Sequence, residues 1–305
     1  MPPEKSAQVN LRLTPSLKAR AEKAAERDHR SLTSLIEKLL ADYLCGRVSL
    51  EVWHNAAKEK FERLALDRGE AKILSPRKYR TLSFSIHTAD AFEFEPAALL
   101  PMVNALPSLM AGYRTQLFDV YTREGLAPYL IADAKATPTG KTSEILESAI
   151  FPDRAVTGLT DFWRVAPGGF ATHIGVYYED RKKSYDGFEP GTWFWPFQAM
   201  REVNALVLIA MVMAQRLEGA ESVEFRCEWQ GLGGRALSDA EFGFPWLPGL
   251  TSYEEERVTL GEWSVDDLKH QPVIVSELVG PLVRSFYPSF PCDPDWVGRQ
   301  IALRR

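Results

Sequence analysis

The stretch QVNLRLTP, residues 8–15, alternates Val9, Leu11 and Leu13 with Gln8, Asn10 and Arg12 before Thr14-Pro15 ends the pattern. Strict alternation predicts a strand with one apolar and one polar face. No second strand follows nearby. Instead Leu17, Ala21 and Ala24 recur at helical spacing through SLKARAEKAAERD, and Thr14 and Pro15 suit the helix start. After DHRS a second helix begins in TSLIEKLLADYL, where Ser34 and Glu37 have capping-box spacing. Leu35, Ile36, Leu39, Leu40, Tyr43 and Leu44 form a double apolar stripe along it. One strand and two short helices bury too little surface to fold alone. The symmetric solution pairs the strand antiparallel with its copy in a second chain and packs the helix stripes together, giving an intertwined dimer.

A two-stranded ribbon fits the DNA major groove, where Gln and Asn pair with adenine and Arg with guanine. Gln8, Asn10 and Arg12 occupy the outward positions and are the candidate base readers. The start of the second helix offers backbone N–H groups around Thr33 and Ser34 for a phosphate, and Lys18, Arg20 and Arg30 add positive charge. Residues 8–44 resemble a ribbon–helix–helix domain of the Arc/MetJ class, and the Gln-x-Asn-x-Arg strand is similar to that of the phage Arc repressor. His29-Arg30 stands where many members of that class have Gly. The resemblance implies double-stranded DNA and a second copy of the chain as partners.

The 305 residues hold 45% hydrophobic and 25% charged residues, an ordinary globular composition. Net charge is −5, but residues 1–60 hold 11 Lys and Arg against 8 Asp and Glu, so a mildly basic head precedes an acidic body. Cys45, Cys227 and Cys292 are scattered, with no CxxC pair, and read as packed thiols in a reducing compartment. The N-terminus lacks the apolar core of a signal peptide. The longest apolar run, Ala205 to Ala214, is about half of a membrane span and reads as a buried helix. A cytoplasmic protein with no membrane partner is expected.

Three regions are predicted: a ribbon–helix–helix module over 1–47, a helical connector and linker over 48–80, and an α+β domain with a mainly antiparallel sheet over 81–305. In the connector, Val52, Trp53, Ala56, Phe61 and Leu64 lie roughly on one face, and AKILSPRKYR reads as linker. In the large domain TLSFSI, QLFDVYT, APYLIAD and SVEFRCEWQG read as strands, and DFWRVAPGGFATHIGVYYED as a hairpin turning at Gly168-Gly169. PAALLPMVNALPSLMAG, broken by Pro101 and Pro107, reads as a kinked helix. WPFQAMREVNALVLIAMVMAQRLEG reads as the main buried helix, followed by a strand and helix over 257–286 and a Pro-rich tail. The segments DFWRVAPGG, GVYYED and VEFRCEWQGLGGR resemble the C-terminal region of bacterial AlbA/Schlafen-like proteins, which implies a sensory or interaction domain.

No catalytic constellation is legible. TGKT at 139–142 has Lys135 where a phosphate loop needs Gly, and GLGG at 231–234 reads as a turn. His29, His54, His87, His173 and His270 have no ligand at i+3 or i+4, so neither metal nor cofactor is expected. Aromatic density around 162–197 instead predicts a ligand pocket drawn from Trp163, Arg164, Tyr177, Glu179, Trp193, Trp195 and Arg201. Together these features point to a dimeric transcriptional regulator, a repressor, whose large domain senses a small molecule or a protein. The alternative is a defence or toxin-type effector, or an enzyme, whose N-terminal module serves dimerisation.

Overall fold

The computed structural model describes residues 18, 21–23, 25, 31–32, 48–67, 69, 79–88, 94, 98–99, 101–103, 105–106, 135–139, 143–150, 161–181, 191–237, 251–252 and 254–302. The chain divides into two compact units, Met1–Ser49 and Leu50–Arg305. In the first, Lys18, residues 21–23, Ala25 and Leu32 are helical, Ala25 is buried, and exposed Lys18 faces Glu22 at 3.7 Å. The expected ribbon over 8–13 lies outside the described residues.

The larger unit begins with helix α1 (Leu50–Asp67), followed by β1 (Tyr79–Thr88), β2 (Lys135–Thr139), β3 (Ser143–Ile150), β4 (Asp161–Val165) and β5 (Phe170–Val176). A single helical turn, α2 (Tyr178–Arg181), precedes β6 (Trp193–Phe194), the long α3 (Pro196–Ala214), β7 (Ala220–Gln230) and β8 (Ala236–Leu237). Then come β9 (Glu256–Ser264), a 3₁₀ turn (Val265–Lys269), α4 (Gln271–Phe286) and α5 (Pro294–Ala302). Among the described residues seven strands form one sheet in the order β2-β3-β4-β5-β1-β7-β9, antiparallel at every pairing, while β6 and β8 make a small parallel pair. The larger unit is α+β.

Strand alternation separates the two faces of the sheet. On β1, Leu82, Phe84 and Ile86 enter the main core with α3 and α4. Tyr79 points the other way, into a smaller cluster with Ala57 and Phe61 of α1. The region expected as connector is thus divided: α1 belongs to the larger unit and covers one face of the sheet. Its buried stripe is Leu50, Trp53, His54, Ala57, Phe61 and Ala65, at the i, i+3, i+4, i+7 spacing of one helix face. Val52, expected on that stripe, is 58% exposed.

α3 starts at Pro196, whose fixed φ suits a first helical position. It is the one described helix long and apolar enough to cross a membrane, but 94% of that window is buried inside the domain, where both faces find apolar partners. The hairpin forms as expected: Gly169 takes φ 80° at the turn, and a Cβ there would lie 3.0 Å from Ile86. QLFDVYT and APYLIAD lie outside the described residues. Thr139 ends β2, and the next described element is its antiparallel partner β3 from Ser143, a strand where a phosphate loop is followed by a helix. Gly231 and Gly234 take φ 68° and 77°, making GLGG the turn it was read as. The Pro-rich tail carries α5: Asp293 accepts from the Trp296 N–H at 2.8 Å as a cap, and Pro294 opens the helix.

Candidate functional site

Beneath α1 the contact with the sheet has two chemistries. Phe61 meets Tyr79 edge-on at 5.2 Å, and Trp53 meets Phe170 at 5.5 Å. Between them His54 and Lys58 reach a row of polar side chains on β5, β1 and β7. His54 Nε2 lies 3.0 Å from Glu228 Oε2, and Nδ1 lies 2.8 Å from Ser83 Oγ. A carboxylate only accepts, so Nε2 carries the proton and Nδ1 accepts from the Ser83 hydroxyl. Ser83 Oγ lies 2.8 Å from Thr172 Oγ1, which supplies the next donor. Glu228 Oε1 accepts from Lys58 and Gln230.

Burial of Glu228 would raise its pKa, but the hydrogen bonds and charges of His54 and Lys58 outweigh that and hold it down at about 2. Burial lowers the pKa of His54, and Glu228 only partly offsets it, so the imidazole stays neutral. The order Ser83, His54, Glu228 is that of nucleophile, base and carboxylate. Yet Ser83 is fully buried on a strand hydrogen-bonded on both sides, with α1 laid over it. Its neighbouring backbone N–H groups are committed to the sheet and unavailable to a reacting oxygen. In this arrangement the network joins helix to sheet.

The opposite face of the same strands carries a second buried polar group. Arg80 forms an ion pair with Glu202 of α3, which also accepts from Gln198 at 2.7 Å. His173 Nε2 lies 3.0 Å from Asp161 Oδ1, and Trp163 stacks on the imidazole with centroids 4.7 Å apart. Gly175 makes room for both pairs. A Cβ there would lie 2.6 Å from Asp161 Oδ1 and 3.0 Å from both terminal nitrogens of Arg80.

Third is a clasp around Arg235, which is fully buried. Its guanidinium donates to Asp180 Oδ1 at 3.0 Å, Asp180 Oδ2 at 2.5 Å and the Trp193 carbonyl at 2.7 Å, while Nε donates to the Gly231 carbonyl at 2.7 Å. It also lies 4.4 Å from the ring centre of Tyr177, whose hydroxyl donates to the Gln230 carbonyl. Glu179 accepts from the Trp195 N–H at 3.1 Å, and its other oxygen is enclosed with no hydrogen-bond partner. Burial, only partly offset by Arg235, raises its pKa to about 8.

The residues expected around one aromatic pocket therefore occupy separate places. Tyr177, Glu179, Trp193 and Trp195 gather at the Arg235 clasp. Trp163 belongs to the Asp161–His173 pair. Arg164 lies on the α1 face, 4.3 Å over the Trp53 ring and 3.2 Å from Glu147, while Arg201 is half-buried on α3. A surface groove of about 580 Å³ lies elsewhere, between Lys269–Val273 and Pro294–Arg299. Of the expected DNA contacts only Lys18 is described; Gln8, Asn10, Arg12, Arg20, Arg30, Thr33 and Ser34 lie outside the described residues. His54, Ser83, Asp161 and Arg235 were not singled out for these roles. Only the hairpin offered a local signal, since folding it about Gly168-Gly169 brings Trp163 opposite His173 and Asp161 two pairs away, on the same face. No family model, curated protein or solved structure matches this chain.

Proposed function

We propose that the chain is a dimeric, sequence-specific DNA-binding regulator of transcription, a repressor acting in the cytoplasm, whose larger unit senses a small molecule or a protein. The observation that carries this reading is the order of residues 8–44: an alternating strand with Gln8, Asn10 and Arg12 on its polar side, then two helices with apolar stripes. The separation of Met1–Ser49 as a compact unit of its own accords with a module that works apart from the sheet domain. Two-fold pairing of the ribbons would set palindromic half-sites. Helix α1, which follows directly at Leu50, would carry a change in the sheet domain back to the module, because the Glu228 network fixes it to β7 and β1 and, through Ser83, to β5.

A second reading makes the larger unit a catalytic effector and the module a dimeriser. The chain from Ser83 through His54 to Glu228 favours it; the enclosure of Ser83 speaks against it. The deciding experiment is salt-dependent binding of the intact protein to DNA from its own upstream region, against scrambled DNA. The regulator reading expects a specific complex that weakens with salt and is lost when Gln8, Asn10 and Arg12 are all replaced by Ala. Weak binding, equal for both DNAs, would overturn it.

A further inference from the structure

The two edges of the large sheet are built differently. β2, at one end, contains Lys135 and Pro138, residues that discourage further strand addition. β9, at the other, reads ERVTLGEWS and contains neither. It pairs with β7 without a register shift from Ser222↔Ser264 to Gln230↔Glu256, so no bulge turns this edge away. Among the described residues no strand lies on its outer side. One face of β9 is closed, with Thr259 buried and Trp263 set edge-on against Phe225 at 5.7 Å. The other face is open, and Leu260 at its centre is 56% exposed.

We propose that β9 is a self-association edge, pairing antiparallel with β9 of a second copy so that Leu260 faces Leu260 across a two-fold axis. Opposed residues in such a pair share a face of the sheet, which restricts the axis to passing at a residue position. With the axis at Leu260, Glu256 meets Ser264, Val258 meets Glu262, Arg257 meets Trp263 and Thr259 meets Gly261. Within β9 every like-charge pair is avoided, and the two exposed leucines cover one another beside Val258. Moving the axis to Thr259 sets Glu256 against Glu262, and moving it to Gly261 sets each exposed Leu260 against Glu262. Like charges directly opposed destabilise a strand pair, so charge excludes the Thr259 register, and only the Leu260 register lets the two exposed leucines meet. The partner is therefore a second copy of this chain, joined through the larger unit whether or not the N-terminal module dimerises.

Opposed Cα atoms in an antiparallel pair lie about 4.5–5.5 Å apart, within disulfide range. In the full-length chain carrying Cys45→Ser, Leu260→Cys should give a cross-linked dimer under mild oxidation. Ser264→Cys alone should not, since Ser264 faces Glu256 in this register. Mixing Val258→Cys with Glu262→Cys chains should restore a cross-link that neither gives alone. In the parent sequence, Leu260→Lys should speed hydrogen exchange of the β9 amides by tenfold or more without changing the thermal melt, because this side chain makes no core contact. Cross-linking no greater at 260 than at 264, or β9 amides that exchange equally fast in both proteins, would overturn the proposal.

Discussion

Glu228 and His54 are joined by a 3.0 Å hydrogen bond across 174 residues of sequence. That bond, with the Lys58 contact beside it, fastens α1 to β7, one strand in from the sheet edge, and adds charge and polarity to the apolar packing of the helix. Buried networks of this kind hold one geometry only while every member is satisfied.

Replacing Glu228 with Ala leaves His54 and Lys58 without their acceptor beneath the helix. Loss of one partner from a buried charge pair costs about 3–5 kcal/mol. Urea denaturation should show that loss, and hydrogen exchange should place the loosening in α1 before the α3–α4 core.

Acid should act on the same contact first. The unfolded chain protonates His54 near 6.5, whereas burial keeps the folded imidazole neutral. Its contribution is complete above that pH and declines as the pH falls below it. Glu228, held at about 2, adds a second decline below the ordinary glutamate value of about 4.3. His54→Gln should flatten the melting temperature between pH 7 and 5 while leaving the lower decline; an unchanged slope would remove His54 from this account.

Glu179 has the opposite sign. Its folded pKa of about 8 lies above the unfolded value, so its contribution is complete below about pH 4.5 and is lost as the pH rises towards 8. Glu179→Gln keeps an acceptor for the Trp195 N–H and removes the ionisation. The variant should melt higher than the parent at pH 8 and nearly with it at pH 4.5.

At Gly175 an added methyl group meets Asp161 and Arg80 on the core side of β5. Both are buried and held by partners on other elements, so the conflict is resolved by displacing one pair. Gly175→Ala should cost about 1–3 kcal/mol, in the range of overpacked cores. Thermal denaturation measures it directly.

If the N-terminal ribbon reads DNA as proposed, Arg12→Ala should weaken specific binding by about 1–3 kcal/mol and relax preference at the base it contacts. Lys18→Ala should instead weaken all sequences about equally and lower the salt slope by about one. Affinities compared over several salt concentrations separate the two outcomes.

Much of the larger unit was legible because its signals are local. The alternation of TLSFSI and SVEFRCEWQG, the Gly168-Gly169 turn and the apolar length of α3 each fix an element from its own residues. The polar contacts were not legible for the converse reason. His54 looked isolated because its partners are 29 and 174 positions away, beyond any i+3 or i+4 search. His173 looked isolated for the same reason, since its carboxylate is Asp161, 12 positions away on the neighbouring strand. Arg235 drew no attention as one arginine after a glycine turn, yet its clasp gathers four of the seven residues expected around a pocket. The stripe on α1 was misjudged at Val52 because the helix's buried face is set by what lies on the sheet.

The connectivity of β1 also orders events in time. Its two neighbours are Phe170–Val176 and Ala220–Gln230, and the anchor of α1 is Glu228. During synthesis the first unit is complete when residue 49 emerges, but α1 and β1 wait for strands made much later. At typical translation rates that interval is roughly 10–40 s. If the N-terminal module pairs with a second copy as proposed, that interval is open to it before the arrival of Glu228 lets α1 dock on the sheet.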